Sequence, residues 1–161
     1  MKNEQINENY EIAKATGEKL ELYTEGNAYK CPHCDAVHTL SDYESSEHEN
    51  EDGATVYACP NCGEDVDDYE LEAVSVYDFF GDIFDTKYII NDNLELIGVK
   101  YCVAFGGPNV YIDTYEGAAV CYWGLQKGVY DLSSATIDAV NNMAEEFFTY
   151  QLEAKAHRRN Y

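Results

Sequence analysis

Two C-x-x-C pairs, CPHC at 31–34 and CPNC at 59–62, stand 24 residues apart and limit what this chain can fold into more than any other feature. Each pair directs two thiols to one point. Two such turns supply four soft sulfurs in the tetrahedral arrangement that Zn²⁺ prefers in a closed structural site. Cys31, Cys34, Cys59 and Cys62 are therefore the expected ligands of one structural zinc ion. A lone C-x-x-C would also suit a redox pair or a disulfide, but two pairs facing one another argue for metal. His33, inside the first pair, and His38, just after it, have the chemistry to replace a cysteine, yet four cysteines in register leave neither needed. Four protein ligands leave no open position for water, so the ion is expected to hold structure and do no chemistry.

Charge narrows the function. The 161 residues carry 31 acidic and 10 basic side chains, a net charge of −21, and four thiolates around one Zn²⁺ make it more negative still. Between Lys30 and Lys87 there is no Lys or Arg, while 16 Asp and Glu fall there. Such a segment repels phosphate and attracts basic surfaces. A zinc ribbon often suggests nucleic-acid binding, but that needs Lys and Arg to neutralise phosphates, so direct contact with DNA or RNA is disfavoured. The N-terminus has no apolar signal core, and no run approaches the roughly 18 apolar residues of a membrane span. Together with two thiolate pairs, this points to a reducing cytoplasm.

The expected fold class is α+β in three parts: an N-terminal helical segment (1–19), an acidic zinc ribbon (20–76), and an antiparallel sheet with a C-terminal helix (77–161). The first helix is expected over 3–19, with Ile6, Tyr10 and Ala13 on one face and Gly17 weakening its end. A short strand at 20–23 would follow. Within the ribbon, strands are expected at 36–40 and 55–58. The acidic stretch 41–53 between them reads as an exposed excursion, and Gly63 permits the turn after the second pair. The metal replaces a core too small to fold alone. Beyond it, Tyr69, Leu71, Val74, Phe79, Phe80, Ile83 and Phe84 alternate with carboxylates, with a short helix over 77–84.

The second half reads as a four-stranded antiparallel meander, with strands at 87–90, 94–105, 110–115 and 118–123, a GGPN loop, and a two-residue turn at Glu116–Gly117. A helix capped by Ser133 or Ser134 follows, with Ile137, Val140, Ala144, Phe147 and Gln151 in one stripe, Phe148 and Leu152 alongside, and Lys155, Arg158 and Arg159 at its end. Pairing Tyr115 with Ala118 sets Ile112 against Cys121, and pairing Phe105 with Val110 sets Val103 against Ile112. One face then holds Val99, Tyr101, Val103, Phe105, Val110, Ile112, Cys121 and Trp123, for the helix to cover. The other holds Lys100, Cys102, Tyr111, Asp113, Tyr115 and Tyr122, a second candidate contact surface with room for a homodimer. Cys102 and Cys121 point to opposite faces, which excludes a disulfide between them.

No phosphate-binding loop, dinucleotide fingerprint, zinc-protease motif or nucleophile elbow occurs, and no histidine has a placed catalytic partner. The expectation is a protein that is not an enzyme. A hydrolase using the clustered carboxylates with a divalent ion is the competing class.

The stretch VKYCVAFGGPNVYIDTYEGAAVCYWG (99–124) with the amphipathic helix after it resembles a small domain carried by phages and mobile elements of Firmicutes, GGPN-x-x-I-D-T being its most specific part. Joined to an acidic zinc ribbon, it resembles the type II-A anti-CRISPR proteins, metal-containing inhibitors of Cas9. That resemblance implies a non-enzymatic inhibitor that blocks DNA loading or activation of Cas9 in the bacterial host, and it carries over only the four zinc thiolates. Cas9 has positively charged nucleic-acid channels that an acidic protein can occupy. Charge would steer association, and affinity would need a desolvated aromatic centre. The expected contact surface is Tyr43, Tyr69, Tyr77, Phe79 and Phe80 beside Glu64, Asp65, Asp67, Asp68, Glu70 and Glu72. The alternative is a zinc-ribbon adaptor that docks on replication or transcription machinery.

Overall fold

A computed structural model describes residues 2–81, 83 and 85–159, with side chains placed between residues 7 and 155. The chain divides into two compact units, Leu22–Phe79 and Met1–Glu21 with Phe80–Tyr161. Helix α1 spans Lys2–Thr24, so the strand expected at 20–23 is its last turn. Gly17 does not weaken its end. A Cβ there would collide with the ring of Tyr130, and one at Gly128 would strike the α1 backbone at Asn9 and Tyr10. Both glycines permit close approach of helix and sheet. The buried face is Asn9, Ala13, Gly17 and Leu20, which keeps Ala13 of the expected face. Tyr10 is exposed, and the Ile6 side chain lies outside the described residues.

The unit Leu22–Phe79 holds two three-stranded sheets. In the first, β1 (Ala28–Lys30) lies between β2 (Val37–Thr39) and, at the far end of the unit, a strand at Glu72–Ala73. The stretch 41–53 is exposed for most of its length, as expected, but it is ordered structure and not an irregular loop. Helix α2 (Leu40–Glu44) begins it, capped by Thr39, whose hydroxyl accepts from Asp42 N–H while Asp42 accepts from Thr39 N–H at 2.9 Å. Strand β3 (Glu47–Glu49) pairs with β4 (Thr55–Ala58), which pairs with β5 (Asp65–Val66). Asn50 closes the β3–β4 turn by accepting from Asp52 and Ala54 N–H. A single 3₁₀ turn at Asp68–Glu70 leads to β6, the Glu72–Ala73 strand, and α3 is Val76–Phe79. Helix α3 is shorter than expected, and Phe84 lies outside the described residues.

The other unit carries a five-stranded antiparallel meander in chain order: β7 (Asp85–Ile90), β8 (Leu96–Ala104), β9 (Asn109–Asp113), β10 (Ala118–Trp123) and β11 (Gln126–Asp131). The fifth strand corrects the expected four. It returns through Gly124–Leu125, with Trp123 opposite Gln126. Across β9 and β10, Asp113 faces Ala118 and Ile112 faces Ala119. The turn holds four residues because the Asp113 carboxylate accepts from Glu116 N–H. The slip is two residues, so the faces survive. Between β8 and β9, Tyr101 faces Ile112, and a bulge past Cys102 leaves Phe105 outside the strand, 72% exposed. Phe105 and Trp123 are thus not core residues. Cys102 and Cys121 do fall on opposite faces, buried and free.

Both long helices cover one face. Ala13 of α1 packs on Val110 and Cys121. In α4 (Ser134–Arg159), Asn141 accepts from Thr114 Oγ1 at 2.6 Å, and Phe148 stacks on Tyr88 at 5.2 Å. The buried stripe of α4 is Thr136, Val140, Met143 and Ala144. Phe147, Gln151 and Leu152 are exposed. Ser133, not Ser134, is the cap, accepting from Thr136 N–H, and the Glu21 carboxylate accepts from Ser133 N–H. The side chains of Arg158 and Arg159 lie outside the described residues. On the opposite sheet face Lys100 pairs with the buried Asp113 at 3.1 Å and lies over Tyr111, which meets Tyr122 edge-on. Among the described residues no helix is long and apolar enough to cross a membrane.

Candidate metal centre

The two C-x-x-C pairs form two turns built alike. In the first, Cys31 N–H donates to Ala36 O at 2.9 Å, Asp35 N–H to Cys31 O at 3.0 Å, and His33 N–H to Cys31 Sγ at 3.4 Å. In the second, Cys59 N–H donates to Glu64 O at 2.9 Å, Gly63 N–H to Cys59 O at 2.8 Å, and Asn61 N–H to Cys59 Sγ at 3.4 Å. The residue after each pair adopts positive φ, Gly63 at 76° and Asp35 at 59°. Glycine reaches that region freely and aspartate with strain. Lys30 grips Asp35 from β1 at 2.8 Å.

Hairpins β1–β2 and β4–β5 bring the turns face to face. The four sulfurs lie within 4.8 Å of one another, with Cys31 to Cys62 at 3.9 Å and Cys34 to Cys59 at 3.8 Å. Sulfurs held about 2.3 Å from one tetrahedral centre stand about 3.8 Å apart, whereas a disulfide needs about 2.0 Å. The cluster can hold one metal ion, and the donor set suits zinc. His33 and His38 are not part of it. The His33 ring instead reaches the Asp65 carbonyl at 3.2 Å, and His38 lies edge-on to Tyr43.

The thiols are unequal. The Asn61 side-chain amide, 3.5 Å from Cys34 Sγ, and the Ala36 N–H bring Cys34 down to about 6. Burial raises Cys31 against the His33 and Cys34 N–H groups that favour its thiolate. At Cys62 the Glu64 N–H favours the thiolate, but burial and the other three thiols outweigh it and push the group up to about 12. Four thiols this close cannot all ionise without a cation between them. Asn61 is a contact that sequence reasoning missed, although its place inside the second pair was visible.

The expected contact surface divides. Tyr43 is wholly buried in a cluster with Cys31, Cys59 and Val66. It is core, not surface, because α2 turns its ring inward. Phe80 is buried against Tyr101 at 4.6 Å, and half-buried Phe79 meets Tyr23 edge-on. Phe80 is thus core and not surface, while Phe79 keeps part of its ring exposed. Tyr69 is 80% exposed and Tyr77 is 46% exposed. Glu64, Asp65, Asp68, Glu70 and Glu72 are exposed, with Asp67 half-buried. Asp67 hydrogen-bonds Tyr69 and raises its hydroxyl, with the nearby Glu70 and Asp68 acting the same way. Lys30 is the one Lys or Arg of the unit, against 15 Asp and Glu.

Fold and site together define an α+β protein with an acidic four-cysteine ribbon. Comparison with family models, curated proteins and solved structures found no match.

Proposed function

We propose that this chain is a stoichiometric, non-enzymatic binder of a basic protein surface, with zinc as its structural ion. The observation that carries the reading is the turn Asp68–Glu70, where Tyr69 stands 80% exposed between carboxylates. The only Lys or Arg of that unit, Lys30, is occupied by Asp35. A rigid aromatic in an uncompensated acidic field suits a partner rich in Arg and Lys, with charge governing approach and the ring supplying contact area. Four thiolate ligands would leave the ion no open position for a substrate, which supports binding over catalysis.

The partner class is a nucleic-acid-handling protein whose basic groove the ribbon occupies. Cas9 is the proposed member, resting on the resemblance of residues 99–124. Titration into guide-loaded Cas9 at two salt concentrations, reading target-DNA cleavage, tests it. Inhibition saturating near one equivalent and weakening at high salt is expected, and the variant Tyr69→Ala/Asp68→Lys/Glu70→Lys should lose most of it. No inhibition at large excess across several orthologues would remove Cas9 as the target, and binding to a basic partner that ignores salt and those changes would remove the acidic surface.

A further inference from the structure

Each of the four cysteine sulfurs has an N–H donor: Cys31 from His33, Cys59 from Asn61, Cys34 from the Asn61 side chain, and Cys62 from Glu64. One further donor sits beside them. The Tyr43 hydroxyl is buried with no hydrogen-bond partner among the described residues, and its ring packs in one cluster with Cys31 and Cys59. An unpaired buried hydroxyl is costly, and phenylalanine would fill the same space without that cost. The charges the hydroxyl feels after burial are those of Cys59, Cys31 and Cys34, in that order. Cys59 is the cysteine that acts on it most strongly, and both lie in the one buried cluster with no hydrogen bond formed at the hydroxyl.

We propose that Tyr43 is a positioning residue of the metal centre: its O–H turns to donate to the Cys59 sulfur when the four cysteines hold an ion, and so holds that thiolate on the metal. Outer donors of this kind orient ligands and tune affinity. The donor also draws charge from a thiolate cluster that lies inside an acidic unit whose one Lys or Arg, Lys30, is paired with Asp35. The inference rests on the four cysteines being a metal centre.

The test compares the full-length wild type with Tyr43→Phe and with Tyr57→Phe, whose ring packs on Tyr43. Zinc affinity is measured by competition with a chromophoric chelator, and the thiolate-to-metal charge-transfer band is read after loading with Co²⁺. Tyr43→Phe should retain zinc 10- to 100-fold more weakly and move the band to lower energy, because the sulfur regains charge. Tyr57→Phe should change neither. In wild type loaded with ¹¹³Cd, a scalar coupling from the Tyr43 hydroxyl proton to the ion would report the O–H···S contact directly. Unchanged affinity and spectrum in Tyr43→Phe, or no such coupling, would overturn the proposal. A wild type that takes up neither Zn²⁺ nor Co²⁺ would instead overturn the metal centre on which it rests.

Discussion

The two units solve the problem of a core in different ways. In Met1–Glu21 with Phe80–Tyr161, a five-stranded sheet buries Val99, Tyr101, Ile112, Val120 and Cys121, and Val140, Met143 and Ala144 of α4 are buried with them. In Leu22–Phe79 the buried cluster is Cys31, Tyr43, Cys59 and Val66, two of whose four members are metal-ligand candidates. Hydrocarbon burial at about 25 cal/mol per Å² stabilises the first. The second has too little of it, and 15 carboxylates repel one another around it. On the proposed reading, an ion with four thiolates would let so acidic a segment stay folded. A strongly charged surface and a thin core can coexist where a metal supplies the missing cohesion, and the four-cysteine cluster is placed to do so.

That contrast can be broken most forcefully at a ligand. Cys59→Ser should abolish zinc retention and unfold the ribbon unit, since structural zinc contributes on the order of 10 kcal/mol of folding free energy. Cys121→Ser, a buried thiol of the other unit, should leave zinc content unchanged, as measured by metal analysis and circular dichroism. Next in size is the hydrocarbon core. Ile112→Ala should cost about 2–5 kcal/mol in denaturant melts that follow the sheet unit, with zinc affinity unaltered. Gly128→Val should cost about 3 kcal/mol by driving α1 off the sheet.

Proton linkage separates the units more finely. At neutral pH Cys34, near 6, is ionised, while Cys31 and Cys62, both raised, hold their protons. Binding must expel at least those two protons, so apparent zinc affinity should rise by at least roughly 100-fold per pH unit from 7 to 8, and more steeply below 6, where Cys34 also protonates. Competition titrations across pH check the slope. The smallest effect is backbone strain. Asp35→Gly frees a left-handed residue and loses the exposed ion pair to Lys30, for a net stabilisation below about 1 kcal/mol in the ribbon's unfolding.

Legibility in the sequence followed the physics of each part. The cysteine spacing was readable because metal geometry tolerates few alternatives, and the sheet faces because alternation survives a two-residue slip. Helix α2 and strand β3 were hidden, because acidic composition masked a Thr39–Asp42 cap and one inward Tyr43. Strand β11 escaped because Gly124–Leu125 carries no strong turn signal and QKGVYD interrupts its alternation with Gly128, whose purpose is to admit α1. Helix α1 was cut short at a glycine that turns out to serve packing. The partner surface was legible only as composition. Which aromatics face outward depended on where α2 and α3 turned them.

Hydrogen exchange on the full chain, zinc-loaded and after complete chelation, tests the central claim most directly. Amides of β1 to β6 should lose their protection when the ion is removed, while those of β8 to β10 and α4 keep theirs. Equal protection of the ribbon with and without metal would contradict the claim that the four-cysteine centre is the core of that unit.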